Sequence, residues 1–330
     1  MTATLQLPNP SEALEEDAAR LAFSAILDLR VSDEDIAGFL TSLSERGETS
    51  VEIAAAAREL RARMMPINAP SGTIDVCGTG GDGHHSLNVS TAVAIIVAAC
   101  GVPVAKHGNR AASSKAGAAD TLEALGLDMQ RVGETAEATL HELGICFLFA
   151  TNHYPAMKRI QPIRKAIGKR TIFNLMGPLA NPARVSRQLI GIARPDYVQV
   201  YGRALESLGA EAAMIVSGEE GLDELSGAGP SRIFRIGHLP VGETVQPSDA
   251  GLAAAPTTAI RGGDAAHNAA ALRRLLLGER GPYRDAVLLN ASAALIVAGR
   301  AANWRDGVEE AAEVLDNGLA NTLLDCWIAF

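Results

Sequence analysis

Between residues 11 and 65 the apolar side chains recur at intervals of three and four: Leu14, Ala18, Leu21, Ala22 and Ile26, then Ile36, Phe39, Leu40 and Leu43, then Ile53, Ala56 and Leu60. Three amphipathic helices fit that period. Ser32 followed by Asp35, and Thr49 or Ser50 followed by Glu52, supply start signals, a side-chain acceptor with an acid in the first turn. Past Pro66, Pro70 and Gly72 the pattern changes to short apolar runs bounded by glycine. These predict strands over 73–77, 102–105, 147–149, 188–192, 213–216, 233–236 and 244–246, with helices between several of them, including 90–100, 116–125 and 198–208. Such alternation predicts an α/β fold whose central sheet is mostly parallel and flanked by helices. A basic helical stretch over 155–175, carrying Lys158, Arg159, Arg164, Lys165, Lys169 and Arg170, interrupts the strands. The expected organisation is a small, mainly helical domain over 1–70, completed by about 155–182, and a large α/β domain over 71–330. Helical spacing returns over 272–276, 286–301 and 308–324.

Composition then removes several classes of function. With 48% hydrophobic and 20% charged residues in 330, the chain has ample material for a core and is no disordered polymer. Basic residues number 29 against 38 acidic, a net charge of −9, and aromatics are 4%, so a nucleic-acid surface is not expected. The apolar run 92–105 is too short for a bilayer and is broken by Gly101 and Pro103, so no membrane association is expected either. Cys77, Cys100, Cys146 and Cys326 form no CxxC pair, which argues against a zinc ribbon or a disulfide framework. The first twenty residues have neither a basic start nor an apolar core, and a cytoplasmic enzyme is the expectation.

The candidate chemistry begins at GTGGDG, residues 78–83, directly after the first expected strand. This satisfies the GxGxxG dinucleotide fingerprint in form only. Residues 84–87 separate it from the next helix, and no acid follows Gly83 until Asp120, whereas a ribose-binding acid belongs about 20 residues on. No GK[ST] ending follows either, so the loop is not a Walker A loop. What remains is unobstructed backbone N–H groups beside a helix N-terminus, an arrangement suited to a phosphate; a simple tight turn is the alternative. Between Gly83 and Asp120 every charged residue is cationic: Lys106, Arg110 and Lys115. Together with Asn109, Ser113 and Ser114 they form a second anion-suited loop at the next strand end, which implies a ligand with two phosphate groups; a solvated loop is the alternative.

DVCGTGGDG, then NVST, KHGNRAASSKAGAADTLEALG, FLFATNHYPAMKRIQPIRKAIGKRTIFNLMGPLANP, GLDELSG and NASAALIVAG closely resemble the anthranilate phosphoribosyltransferase family of tryptophan biosynthesis, over about residues 15–320. The resemblance implies a helical domain hinged to an α/β domain, a homodimer through the helical domain, and transfer of phosphoribose from phosphoribosyl pyrophosphate to the amine of anthranilate. It places the pyrophosphate against Gly78, Gly81, Asp82, Asn88, Ser90 and Thr91, and the 5-phosphate against Lys106 and the loop Asn109, Arg110, Ala111, Ala112, Ser113 and Ser114. Ser86, Val89, His107, Gly108 and Ala118 complete the donor-binding set. Anthranilate would meet Gly78 and Asn109, with its carboxylate on Arg164. Three positions depart from the common pattern. Ser86 stands for threonine, Ala118 for a frequent serine, and Thr151 with His153-Tyr154 for a proline and a histidine directly before the second proline.

Asp223 and Glu224 end the turn GEEGLDEL after an expected strand. Adjacent carboxylates there suit Mg²⁺, which uses one or two protein carboxylates together with phosphate oxygens and water, although acids in turns are commonly just solvated. Ser90 is the third candidate ligand, and the resemblance implies two magnesium ions with substrate bound. Loss of pyrophosphate leaves positive charge on the ribose, and the attacking aryl amine is neutral, so no general base is assigned. Arg164 offers a planar fork that matches a carboxylate. A pyrimidine nucleoside phosphorylase and a noncatalytic nucleic-acid-binding paralogue are the competing readings.

Overall fold

The computed structural model describes residues 6–111 and 115–330. Helices α1 (Glu16–Leu27), α2 (Asp33–Arg46) and α3 (Ser50–Arg61) occupy the N-terminal segment. Ser32 caps α2 by accepting the Asp35 N–H, and Thr49 and Glu52 form a reciprocal capping box on α3. Leu21, although in phase with the apolar stripe of α1, is exposed.

Seven strands follow: β1 (Ile74–Gly78), β2 (Val104–Gly108), β3 (Ile145–Phe149), β4 (Arg187–Gly191), β5 (Ala212–Gly218), β6 (Ser231–Ile236) and β7 (Thr244–Val245). They form one sheet in the order β3-β2-β1-β4-β5-β6-β7. Pairing is parallel from β3 to β5 and antiparallel for β6 and β7. Strands β1 to β5 are buried almost throughout, as parallel strands covered on both faces are, but only β3 and β5 read as apolar runs; β1, β2 and β4 include Asp75, Lys106, His107, Arg187 and Gln188. Ser231–Ile236 mixes buried and exposed positions, as an antiparallel strand near the sheet edge does.

Between and after the strands lie α4 (Val89–Ala99), α5 (Ala118–Leu125), α6 (Met129–Glu134), α7 (Ala136–Glu142), α8 (Ala150–His153), α9 (Pro155–Ile167), α10 (Met176–Leu179), α11 (Val198–Ser207), α12 (Ala265–Leu276), α13 (Pro282–Val297), α14 (Trp304–Asp316) and α15 (Leu319–Ala329). Two expected helices are shorter than the apolar spacing suggests. The stretch 308–324 is broken at Gly318, which has φ +71°, and the stretch 155–175 ends at Gly168, φ +65°; both are left-handed conformations that favour glycine.

One face of the sheet, including Val76, Val104, Phe147, Leu189 and Met214, shares a core with α4, α5 and α12 to α15. The opposite face of β4 and β5, through Ile190, Ala213 and Ile215, shares another with α11, with α1 to α3 and with residues 154–180. The basic stretch therefore packs back onto the N-terminal helices, through Ile160, Ile163, Ile172 and Leu175. Strands β1 and β2 pair at Ile74 and Val104, and beyond that point side chains take over the stitching. The His107 N–H donates to Asp75 Oδ1 (3.0 Å), Lys106 Nζ donates to the Val76 carbonyl (2.8 Å), and Asn181 Nδ2 donates to the Ala105 carbonyl (2.8 Å).

Candidate active site

In an open α/β sheet a ligand is expected outside the carboxyl ends of the strands, where the strand order reverses; here that point lies between β1 and β4. The loop after β5 crosses it. A Cβ on Gly78 would stand 2.3 Å from Asp223 Oδ2, and one on Gly191 would stand 1.6 Å from the Asp223 carbonyl oxygen. Two glycines, one at the end of each neighbouring strand, thus admit the carboxylate-bearing turn into the crevice.

Once there, Asp223 Oδ2 accepts the Gly80 N–H (2.7 Å) and Glu224 Oε1 accepts the Ser90 N–H (3.1 Å) in the first turn of α4. Gly80, Gly81 and Gly83 all have positive φ, between +69° and +79°, so the loop takes a path closed to most side chains. Lys106, only 2% exposed, reaches under the helix start to Ser90 Oγ (3.2 Å). Burial pushes both acids of the pair above the ordinary carboxylate range. Asp82 adds to the rise at Asp223, and Asp223 adds to it at Glu224, where Lys106 opposes it. Asp82 Oδ1 accepts the His84 N–H (3.0 Å), while its Oδ2 is buried without a partner.

Asp82, Asp223 and Glu224 are therefore acids short of positive charge, beside N–H donors that a phosphate would use. Among the described residues no group of three or more His, Cys, Asp or Glu side chains stands ready to hold an ion unaided. A site that contributes one or two carboxylates and leaves the rest to phosphate and water is the kind magnesium uses, and these residues fit it.

Arg164 on α9 donates to Asn174 Oδ1 (3.2 Å) and, among the described residues, pairs with no carboxylate. Burial lowers its pKa, which marks a guanidinium partly stripped of water and not yet neutralised. His107 is buried, and desolvation brings its pKa down to about 3, so the ring is neutral.

The glycosyl transferase family's a/b domain matches residues 71–321, and its helical bundle domain matches residues 9–64. A curated anthranilate phosphoribosyltransferase from Novosphingobium aromaticivorans is 66% identical over 325 residues, covering 98% of each chain. The chain belongs to the anthranilate phosphoribosyltransferase family. The crystal structure of the Thermus thermophilus anthranilate phosphoribosyltransferase superposes with a TM-score of 0.90 at 45% identity, covering 97% of this chain and 96% of that one. The Saccharomyces cerevisiae enzyme in complex with PRPP and Mg gives 0.85 at 27% identity, with coverages of 96% and 93%.

The expected family site residues fall into two groups. Gly78, Gly81, Asp82, Ser90, Lys106, Asp223 and Glu224 converge on the strand ends, with Gly108 and Asn109 at the exit of β2. Others are already engaged in holding the fold. Arg110 pairs with Asp120 (2.9 Å) and Glu123 (2.7 Å) on α5, and the Asp120 carboxylate also takes the Ala111 and Gly117 N–H groups, both at 2.9 Å. The cationic bias of this loop is thus offset by acids that come after it in sequence. Asn88 Oδ1 accepts from Thr121 Oγ1 (2.6 Å) and Asn268 Nδ2 (2.9 Å), tying α4 to α5 and α12. The Val89 side chain lies in the main core, so that residue has only backbone to offer. Thr91 Oγ1 is buried without a partner at the helix start. Ser86 bridges to Arg261, and Ala118 opens α5 against Gly108. Ala112, Ser113 and Ser114 lie outside the described residues.

Gly191, Asp75 and Asp120 escaped the sequence reading because their roles exist only against partners far away in the chain. A surface cavity of about 260 Å³ over Ser44, Lys169 and Arg194 offers little for an anion, since Lys169 and Arg194 are already paired with Glu45 and Asp196.

Proposed function

We propose that this chain transfers the phosphoribosyl group of 5-phosphoribosyl 1-pyrophosphate to the amine of anthranilate, giving N-(5-phosphoribosyl)anthranilate and pyrophosphate, as a step of tryptophan biosynthesis. The observation that carries this reading is the Asp223-Glu224 pair lodged on the Gly80 and Ser90 N–H groups, with Lys106 bonded to Ser90 beside it.

In this mechanism the glycine loop and the first turn of α4 direct N–H dipoles at the leaving pyrophosphate. Lys106 adds a fixed positive charge that needs no reorganisation as the glycosidic bond to pyrophosphate lengthens. Ser90, Asp223 and Glu224 would hold magnesium, two ions with substrate bound, which supplies further neutralisation of pyrophosphate charge. The carboxylates must then leave the Gly80 and Ser90 N–H groups, freeing those donors for the phosphate. Arg164 anchors the anthranilate carboxylate and, with Asn109, sets the amine facing the anomeric carbon. The neutral aryl amine attacks directly and loses its proton afterwards, so no residue is assigned as a general base.

The proposed organisation is a helical domain over 1–70, completed by about 155–182, and a donor-binding domain over 71–330. The exposed Leu21 and Val51, on α1 and α3, support a homodimer through the helical domain. No helix among the described residues is long and apolar enough to cross a membrane, and the compartment proposed is the cytoplasm. The test is the loss of anthranilate fluorescence on mixing with phosphoribosyl pyrophosphate and Mg²⁺. Loss that requires all components supports the assignment; persistent fluorescence with folded protein overturns it.

A further inference from the structure

The acceptor side contains a contact that neither the glycine loops nor the acid pair explains. Tyr154 stands at the junction of α8 and α9, and its ring is buried edge-on to the His107 imidazole, with centroids 5.6 Å apart and planes at 86°. Its hydroxyl lies 3.2 Å from His107 Nε2 and also donates to the Ala180 carbonyl oxygen. A phenol has one proton, and a carbonyl can only accept. The hydroxyl thus bridges the imidazole and the Ala180 carbonyl, while the Gly177 backbone hydrogen-bonds the same imidazole from its other side.

Each partner of this hydroxyl belongs to a different wall. His107 lies near the end of β2, two residues before Asn109, and its own N–H is fixed by Asp75. Ala180 directly follows α10, next to Asn181, whose side chain is bonded to the Ala105 carbonyl. Tyr154 itself immediately precedes α9, the helix that carries Arg164 nine residues after Pro155. The backbone on the β2 side is thus held by Asp75 and Asn181, whereas the imidazole is held by Gly177 and by the phenol, which ties it to the start of α9.

We propose that Tyr154 is a positioning residue for the acceptor: its hydroxyl ties the His107 imidazole and the end of α10 to the start of α9, and hence sets the placement of Arg164 on that helix. This deepens the transferase reading and rests on Arg164 and Asn109 being the acceptor side.

Tyr154→Phe keeps the ring and its burial and removes only the hydroxyl. Anthranilate KM should rise about fivefold, the effect of losing one buried hydrogen bond between neutral groups, while the phosphoribosyl pyrophosphate KM stays within about twofold. In a background of His107→Phe the same change should add nothing further to anthranilate KM, because the two side chains act as one unit. An unchanged anthranilate KM in the single variant, an equal rise for both substrates, or strict additivity in the double variant overturns the proposal. Nitrogen NMR of histidine-labelled protein adds a readout that a merely structural role would not move: the His107 Nε2 resonance should shift in Tyr154→Phe, and an unchanged resonance overturns the inference. Failure of the transferase reading is distinguishable, because the wild-type protein would then leave anthranilate fluorescence unchanged with phosphoribosyl pyrophosphate and Mg²⁺, whatever Tyr154→Phe does to the His107 resonance.

Discussion

Arg164 separates acceptor chemistry from donor chemistry. A guanidinium on a carboxylate contributes about 1.5–3 kcal/mol, so Arg164→Ala should raise anthranilate KM at least about tenfold while the donor KM barely moves. The ligand-free structure adds a condition, because Arg164 there bonds one amide oxygen and pairs with no acid among the described residues. The melting temperature of the free protein should therefore stay close to wild type. Steady-state kinetics showing a donor defect with unaltered anthranilate KM would reassign the residue to the phosphate site or the helix surface. Single residues were legible in the sequence when their chemistry was local: the Ser32 and Thr49 caps, the glycines at 78–83 and the adjacent acids 223 and 224. The pairing of Arg110 with Asp120 and Glu123 was not legible, because it joins residues 10 and 13 positions apart across a loop.

At the level of elements, the glycines divide by what a new Cβ would meet. At Gly80 and Gly81 nothing lies within 4 Å, so alanine there meets only the strain of positive φ, about 1 kcal/mol, and the obstruction of an approaching pyrophosphate. Both variants should fold, and the donor KM should rise more than the anthranilate KM. Gly191 lies in strand β4, where the Asp223 backbone already fills the Cβ position. Alanine at 191 must displace the acid turn, so thermal stability and turnover should fall together. A Gly191→Ala enzyme with wild-type melting and kinetics would show that the turn is not held by this close approach. The strands themselves were legible as short β-rich runs bounded by glycine, even where Asp75, Lys106, His107 and Gln188 sit inside them as buried polar residues. The break at Gly318 was not, since apolar spacing continues across it, and short helices such as α8 and α10 lack enough turns to display a period.

For the whole molecule, the acid pair couples the site to global stability. Burial raises both Asp223 and Glu224 above their unfolded values, so the folded protein holds protons that the unfolded chain has released. Stability changes with pH in proportion to the protons bound by the unfolded state minus those bound by the native state, and for this pair that difference is negative. Their contribution is thus present below the ordinary carboxylate range and is lost as pH rises through neutrality. In Asp223→Asn with Glu224→Gln the amides cannot ionise, so the variant should lack this component, and its melting temperature should gain on wild type between pH 5 and pH 8. Magnesium with phosphoribosyl pyrophosphate reverses the sign, because bound cation favours the ionised acids. The ligand-induced rise in wild-type melting temperature should therefore grow with pH, and in the double variant it should be small and flat. Thermal scans with and without the ligands across that range check both slopes. A variant that keeps the wild-type metal response would remove Asp223 and Glu224 from the site, whereas parallel pH profiles without ligand would show that the acids are ionised in the free protein.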